Sequence, residues 1–123
     1  TKGMIGHAQK LLDDSRSSTL SGIDPLTPKA ICDAAAEGDA VGSETVAHVA
    51  RHIGIAVANL INIISPDVIA IGGGISAAGG LLLNPIIDSA AINTLEGMFE
   101  HTRIELAQLG NDAGSIGAAY LVL

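Results

Sequence analysis

The sequence predicts an α/β fold that is helix-rich and holds a short parallel sheet. Three observations carry this. Apolar residues recur at helical spacing from Val41 to Ile64, through Val46, Val49, Ala50, Ile53, Ala56, Val57, Leu60 and Ile61, as in one long amphipathic helix. Val68-Ile69-Ala70-Ile71 is a short β-branched run between Pro66 and three glycines, which reads as a strand. A helical stretch and a second strand-like run, Ile104-Glu105-Leu106-Ala107, follow it. Two such strands read as a parallel pair joined by a right-handed crossover.

The elements follow in order. Residues 3–13 form a short helix, with Met4, Ile5, Ala8, Leu11 and Leu12 along one stripe. Residues 14–26 are Ser-rich and carry Gly22 and Pro25, so they form a surface loop. Thr27 caps a helix that has Pro28 at its first position, where a missing N–H costs nothing. Ala30, Ile31 and Ala34 supply the buried face of that helix, and Gly38 ends it. The long helix stops at Ser65-Pro66-Asp67, because the residue before proline is pushed out of the right-handed helical region. The strand at 68–71 should be buried on both faces, as in a parallel sheet. Helix is expected across Ala77–Phe99, with a break near Asn84-Pro85. Asn111-Asp112 caps a last helix, Ala113–Leu123. Gly114, Gly117, Ala118 and Ala119 leave one side of it small, which suggests close approach by another helix or backbone. Two strands are few for so much helix. The rest of the sheet is therefore expected from residues missing here or from another chain.

The chain has 123 residues, 48 % hydrophobic and 2 % aromatic. That length suits one domain or part of one, since domains run to ~100–200 residues, and the apolar fraction argues against disorder. The net charge of −7, from 13 acidic against 6 basic residues, speaks against nucleic-acid binding through this segment. The uncharged run Val68–Ile87 is long enough to span a membrane, but its glycines and Pro85 interrupt it, so no membrane role is expected. Thr1-Lys2-Gly3 is followed by no apolar signal segment. The single Cys32 provides neither a disulfide nor a zinc cluster; it reads as a small buried hydrophobe in a reducing, cytoplasmic protein.

The strongest candidate site is the strand followed by glycines, Val68 to Ser76. Consecutive glycines let backbone N–H groups approach a ligand, and the carboxyl end of a parallel strand is where open α/β sheets bind one. A tight strand–helix turn without a ligand explains the same residues. Gly72, Gly74 and Ala77 also fit G-x-G-x-x-A, but the long helix before the strand and Asp88 in mid-helix disfavour a dinucleotide-binding domain. His48 and His52 share a helix face without the H-E-x-x-H pattern, and Arg51 beside them would repel a cation; they read as a solvated or partner-facing pair. Ser76 and His101 form no triad, and the acid-rich stretch Asp33–Glu44 reads as a solvated face.

Asn59-Leu60-Ile61-Asn62-Ile63-Ile64-Ser65-Pro66-Asp67 through Gly72-Gly73-Gly74-Ile75-Ser76 resembles the ROK family pattern NLINxxxPxxIxIGGGxS. The likeness continues through Leu81 to Ile86 and closes on Leu109-Gly110-Asn111-Asp112-Ala113-Gly114-Ser115-Ile116-Gly117-Ala118-Ala119, similar to LGNDAGxxGAA. Ala34 to Ala40 resembles the A-x-x-G-D turn. The likeness covers nearly the whole chain and is loose only over its first twenty-odd residues.

The resemblance implies the actin-like ATPase fold, built of two ribonuclease-H-like lobes, with residues 1–123 as a partial C-terminal lobe. It implies that Gly73 and Gly74 approach the adenosine of ATP, that Gly72 and Ile75 shape the turn, and that Gly114 and Gly117 lie at the hinge. The family's phosphate-binding glycine motif, catalytic Asp, second phosphate loop, sugar-binding Glu-x-Gly-His segment and Cys-rich zinc motif are absent from this chain, and Cys32 does not replace the last. The implied protein is an ATP- and Mg²⁺-dependent hexose kinase, glucokinase-like, of which this chain is an inactive closing portion. The alternative is the C-terminal domain of a ROK sugar-responsive repressor. A third reading is an interaction domain that completes its sheet with a second copy. Apolar surface left by missing strands should promote homo-oligomers.

Overall fold

The computed structural model describes residues 2–14, 16–108 and 113–120. Five helices and two strands follow in the order α1 (Lys2–Asp13), α2 (Pro28–Ala36), α3 (Ala40–Ile64), β1 (Val68–Ile71), α4 (Gly80–Asn93), β2 (Arg103–Leu106) and α5 (Ala113–Tyr120). The strands pair in parallel, with Val68 opposite Arg103 and Ile71 opposite Leu106. α3 is the spine: α4, α2 and α1 all pack on it. The core runs between them through Met4, Ile31, Val41, Ile61, Leu82 and Ile86, each 2 % exposed or less.

The helix ends obey local chemistry. Thr27 has extended backbone, and its hydroxyl accepts from Ala30 N at 3.2 Å. Gly38 ends α2 at φ +86°, a conformation that suits glycine, and its N–H donates to Ala35 O at 3.1 Å. α3 ends before Pro66 as expected, with Ser65 in the left-handed region at φ 43° and its N–H on Ile61 O. Cys32 is buried; burial first, and the nearby Asp33 charge second, push its thiol above its ordinary pKa.

Several expectations are corrected. β1 is not buried on both faces: Val68 and Ala70 are exposed while Ile69 and Ile71 are half-buried, and β2 alternates in the same way. The reason is layering, since Ile69, Ile71 and Ile104 pack on the helical core and no described layer covers the opposite face. The expected helix 77–99 is a 3₁₀ turn (Gly74–Ala78), then α4, then a second 3₁₀ turn (Phe99–His101). Pro85 sits inside α4 without ending it. α4 ends instead where side chains take over the last carbonyls: Asn93 Nδ2 donates to Ser89 O and Thr94 Oγ1 to Ala90 O, both at 2.7 Å. Asn62 of α3 fixes the exit, accepting from Leu95 N at 2.9 Å and donating to Asn93 O at 3.2 Å. The second strand lies one residue earlier than expected, at 103–106. The caps Asn111 and Asp112 and the end of the last helix lie outside the described residues.

The stretch Asp33–Glu44 is not solely a solvated face. Asp33, Glu37 and Glu44 are exposed, but Asp39 is half-buried and caps α3, accepting from Gly42 N at 2.9 Å. It also accepts from Thr19 N at 2.8 Å and from the hydroxyls of Ser18 and Thr19 at 3.0 and 3.2 Å. Asp39 thereby pins the Ser-rich loop, whose Leu20 and Leu26 are buried.

α3 is the one helix among the described residues long and apolar enough to cross a membrane, by length and composition alone. Nine of its residues face the protein core, and Glu44, Arg51 and His52 are exposed. Apolar surface remains as expected: Ile63 and Ile92 are 77 % and 83 % exposed, with Leu60, Ile64 and Leu95 also open.

Candidate functional site

β1 delivers the chain to the glycine turn. The parallel ladder runs one step past the strand, with Ala107 N donating to Ile71 O at 2.9 Å. Gly72 follows, where a Cβ would meet only Ala107 Cβ at 3.4 Å, an ordinary contact. Gly73 adopts φ 87°, ψ 179°, a region that is essentially glycine-only. Among the described residues no atom stands within 4 Å of where its Cβ would lie. Glycine is therefore required there by conformation rather than by crowding. Gly74 opens the 3₁₀ turn, which Ser76 closes: its N–H and its hydroxyl both donate to Gly73 O, at 3.0 and 2.7 Å. The turn delays α4, whose first residue is Gly80 after Gly79 at φ 59°. The helix N-terminus consequently stands further from the glycines than the sequence suggests.

The turn opens on a recess of about 560 Å³. Met4 of α1, Pro28 and Lys29 of α2, and Val49 and Ile53 of α3 form its walls with Gly73 and Ile75. Four elements distant in sequence thus meet at the glycines. The wall is largely apolar, with one cation: the exposed Lys29 Nζ pairs with Asp33 at 2.6 Å, and that hydrogen bond raises its pKa. Such a recess suits a flat, partly apolar ligand carrying polar edges. Backbone N–H groups and the lysine could serve an anionic appendage.

The other sequence candidates scatter. Ser76 spends its hydroxyl on the turn, and His101 is exposed in the second 3₁₀ turn. Around Gly117, among the described residues, no atom lies within 4 Å of an added Cβ, so the close approach expected there is not found. Close approach occurs at Gly42 and Gly54 instead. A Cβ on Gly42 would stand 2.7 Å from Ala35 N, and one on Gly54 would stand 2.5 Å from Ser89 Cβ.

His48 and His52 are not a plain surface pair. His7 of α1 stacks on His48 with centroids 3.8 Å apart and planes 6° apart, and His52 lies 4.5 Å from His48 at 49°. The sequence reading missed His7, whose place at the i+3 position from the buried Met4 was the available signal. Among the described residues no group of three or more His, Cys, Asp or Glu is arranged to hold a metal. Among the described residues the walls of the recess include no carboxylate that could serve Mg²⁺.

The chain matches the ROK family over residues 10–123. A glucokinase of Halalkalibacterium halodurans is 42 % identical over 97 residues, which is 79 % of this chain and 29 % of that protein. The DNA-binding transcriptional repressor Mlc of Escherichia coli is 35 % identical over 112 residues, 91 % of this chain and 27 % of that protein. The crystal structure of a ROK family glucokinase from Streptomyces griseus, in complex with glucose and AMPPNP, aligns with a TM-score of 0.86 at 30 % identity, over 98 % of this chain and 41 % of that one. This chain thus spans less than a third of the two curated relatives. Its helix-rich unit with a short parallel sheet is part of an actin-like ATPase fold. With the family pattern matched from Lys10 to Leu123, the chain belongs to the ROK family.

Proposed function

We propose that this chain is the closing portion of an ATP-dependent, glucokinase-like hexose kinase and supplies part of the adenosine pocket. The observation that carries the reading is the conformation of Gly73, strained for any other residue and opening directly on the recess. In this reading Gly73 and Gly74 admit the adenosine, Gly72 and Ile75 shape the turn, and Val49 and Ile53 floor it. The γ-phosphoryl group passes to a sugar hydroxyl, with Mg²⁺ neutralising phosphate charge. Both the metal ligands and the general base lie outside this chain, so the 123 residues alone should show no turnover. The protein is proposed to be cytoplasmic, to bind no nucleic acid through this segment, and to form homo-oligomers over its open apolar surface. Size-exclusion chromatography checks the last point.

Likeness to Mlc supports a second reading, a sugar-responsive repressor whose DNA contacts lie in another domain. One experiment separates the two: the whole protein is assayed for glucose-dependent formation of ADP from ATP. Turnover supports the kinase. No turnover, with sugar-dependent release of DNA, supports the repressor. In a kinase, Gly73→Ala should raise KM for ATP about tenfold, since placing a side chain in that conformation costs about 1–3 kcal/mol. KM for the sugar should stay within about twofold, because the strain lies at the nucleotide and not at the reacting hydroxyl. Equal changes in both constants would count against Gly73 as a nucleotide contact.

A further inference from the structure

We propose that the stack of His7, His48 and His52 is a proton-operated latch between α1 and α3, released by acid, and that its release loosens the recess beneath the glycine turn. The latch joins two elements with little else polar between them: α1 is held by the buried Met4, Ala8 and Leu11. His7 lies flat on His48 at 3.8 Å. Its Nε2 is buried and has no hydrogen-bond partner among the described residues. His52, 4.5 Å from His48, uses Nδ1 on His48 O at 2.8 Å.

Neutral imidazoles stack readily; charged ones at these distances repel. The groups acting on His48 are His7 from α1 and His52, Arg51 and Glu44 from α3. Glu44 is the acid among them, and it already pairs with Arg16 from the loop after α1. That hydrogen bond, foremost, holds the Glu44 carboxyl below its usual range. Burial first, then the His7, His52 and Arg51 charges, hold His48 below its ordinary value of 6.5, against the opposing pull of Glu44. A state with α1 released has an ordinary imidazole and binds the proton more readily. The latch is therefore at full strength above about pH 6.5 and weakens as the pH falls below it. The link to the recess is Met4, which is buried in the α1–α3 seam and also lines the recess with Gly73 and Ile75.

The coupling to nucleotide rests on the reading proposed above; the latch itself does not. The test uses the whole protein at about pH 7.5 and about pH 5.5. Amide hydrogen exchange of α1, corrected for the intrinsic pH effect and compared with α4, should lose protection at the lower pH, by up to about tenfold, the limit for one imidazole of ordinary value 6.5. The dissociation constant for AMPPNP should rise over the same interval by the factor by which the latched population, read from that exchange, falls. His48→Phe keeps an aromatic plane against His7 and carries no proton, so both changes should disappear in it. His7→Phe serves the same purpose where the first variant fails to fold. Unchanged α1 protection in the parent protein, or an equal loss in parent and variants, overturns the latch. A fall in the latched population with AMPPNP affinity constant overturns the coupling. Absence of AMPPNP binding at either pH refutes the nucleotide reading, and with it the coupling, and leaves the latch to be decided by the exchange data.

Discussion

Replacing Gly54 with alanine should lower the unfolding free energy by about 2 kcal/mol, despite alanine's better helix propensity. The gain in propensity is about 1 kcal/mol. Against it stands a Cβ placed 2.5 Å from Ser89 Cβ, 2.7 Å from Ile86 O and 2.8 Å from Ser89 Oγ, all closer than real atoms approach. The Ile86 carbonyl is backbone of α4. The Ser89 side chain cannot swing aside freely, because its hydroxyl donates to Arg51 O at 2.9 Å. α3 and α4 must part, at the most extensive contact between two elements of the fold. Overpacking costs about 1–3 kcal/mol and at times more; three contacts under 3 Å, one of them to backbone, put this clash at the upper end, about 3 kcal/mol, so it outweighs the propensity gain by about 2 kcal/mol. Denaturant titration of the whole protein would show it as a lower midpoint. Ser89→Gly in the Gly54→Ala background should recover part of the loss, and the double-mutant cycle should show coupling of about 1 kcal/mol. Strict additivity would mean that the two helices do not meet at these residues.

Asp39→Ala should cost about 2–3 kcal/mol, because one carboxylate serves two structures. As the cap of α3 it is worth about 1 kcal/mol. Its hydrogen bonds from Thr19 N and from the Ser18 and Thr19 hydroxyls hold a loop that would otherwise be tied down mainly by Leu20 and Leu26, and bonds to a charged acceptor exceed those between neutral groups. The carboxylate also predicts a pH dependence. Burial, the largest single influence, pushes its pKa up, but the bonds from Gly42 N, Thr19 N, Ser18 and Thr19 together outweigh it and hold the group below its ordinary 3.8. The folded chain then binds fewer protons than the unfolded one. The contribution is complete well above that ordinary value and is lost as the pH falls through and below it, in the range from about pH 5 downward. Asp39→Asn keeps one capping oxygen and should flatten the slope of stability against pH in that range. An unchanged slope would show that the carboxylate is not what the loop and helix share.

What was legible in the sequence was what neighbours in the chain decide. The cap at Thr27, the stop at Gly38, the end of α3 before Pro66 and the strand–glycine junction each depend on a few adjacent residues, and each stands where expected. The glycine turn was legible for the same reason, because its geometry resides in Gly73 itself. Features made by distant residues were not. The recess wall combines Met4, Lys29 and Ile53 with a turn about twenty residues beyond the last of them. His7 joins His48 from a distant part of the chain. Gly54 looks like a weak point in a helix until Ser89 is known to face it. Pro85 misled because a proline in a helical pattern signals a break; α4 runs through it and ends on the side chains of Asn93 and Thr94. The double burial expected of β1 failed because that rule assumes helices on both faces of the sheet.

The sheet has a consequence for how this polypeptide behaves in company. β1 and β2 hydrogen-bond to each other and, among the described residues, to no third strand. Among the described residues each therefore keeps one open edge, a row of N–H and C=O groups ready to template any extended segment that comes near. Inside a longer polypeptide that readiness lets further strands zip on in register. In a free 123-residue unit at high concentration the same edges, beside the uncovered Val68 and Ala70, would recruit other molecules, and cross-β aggregation would rise steeply with concentration.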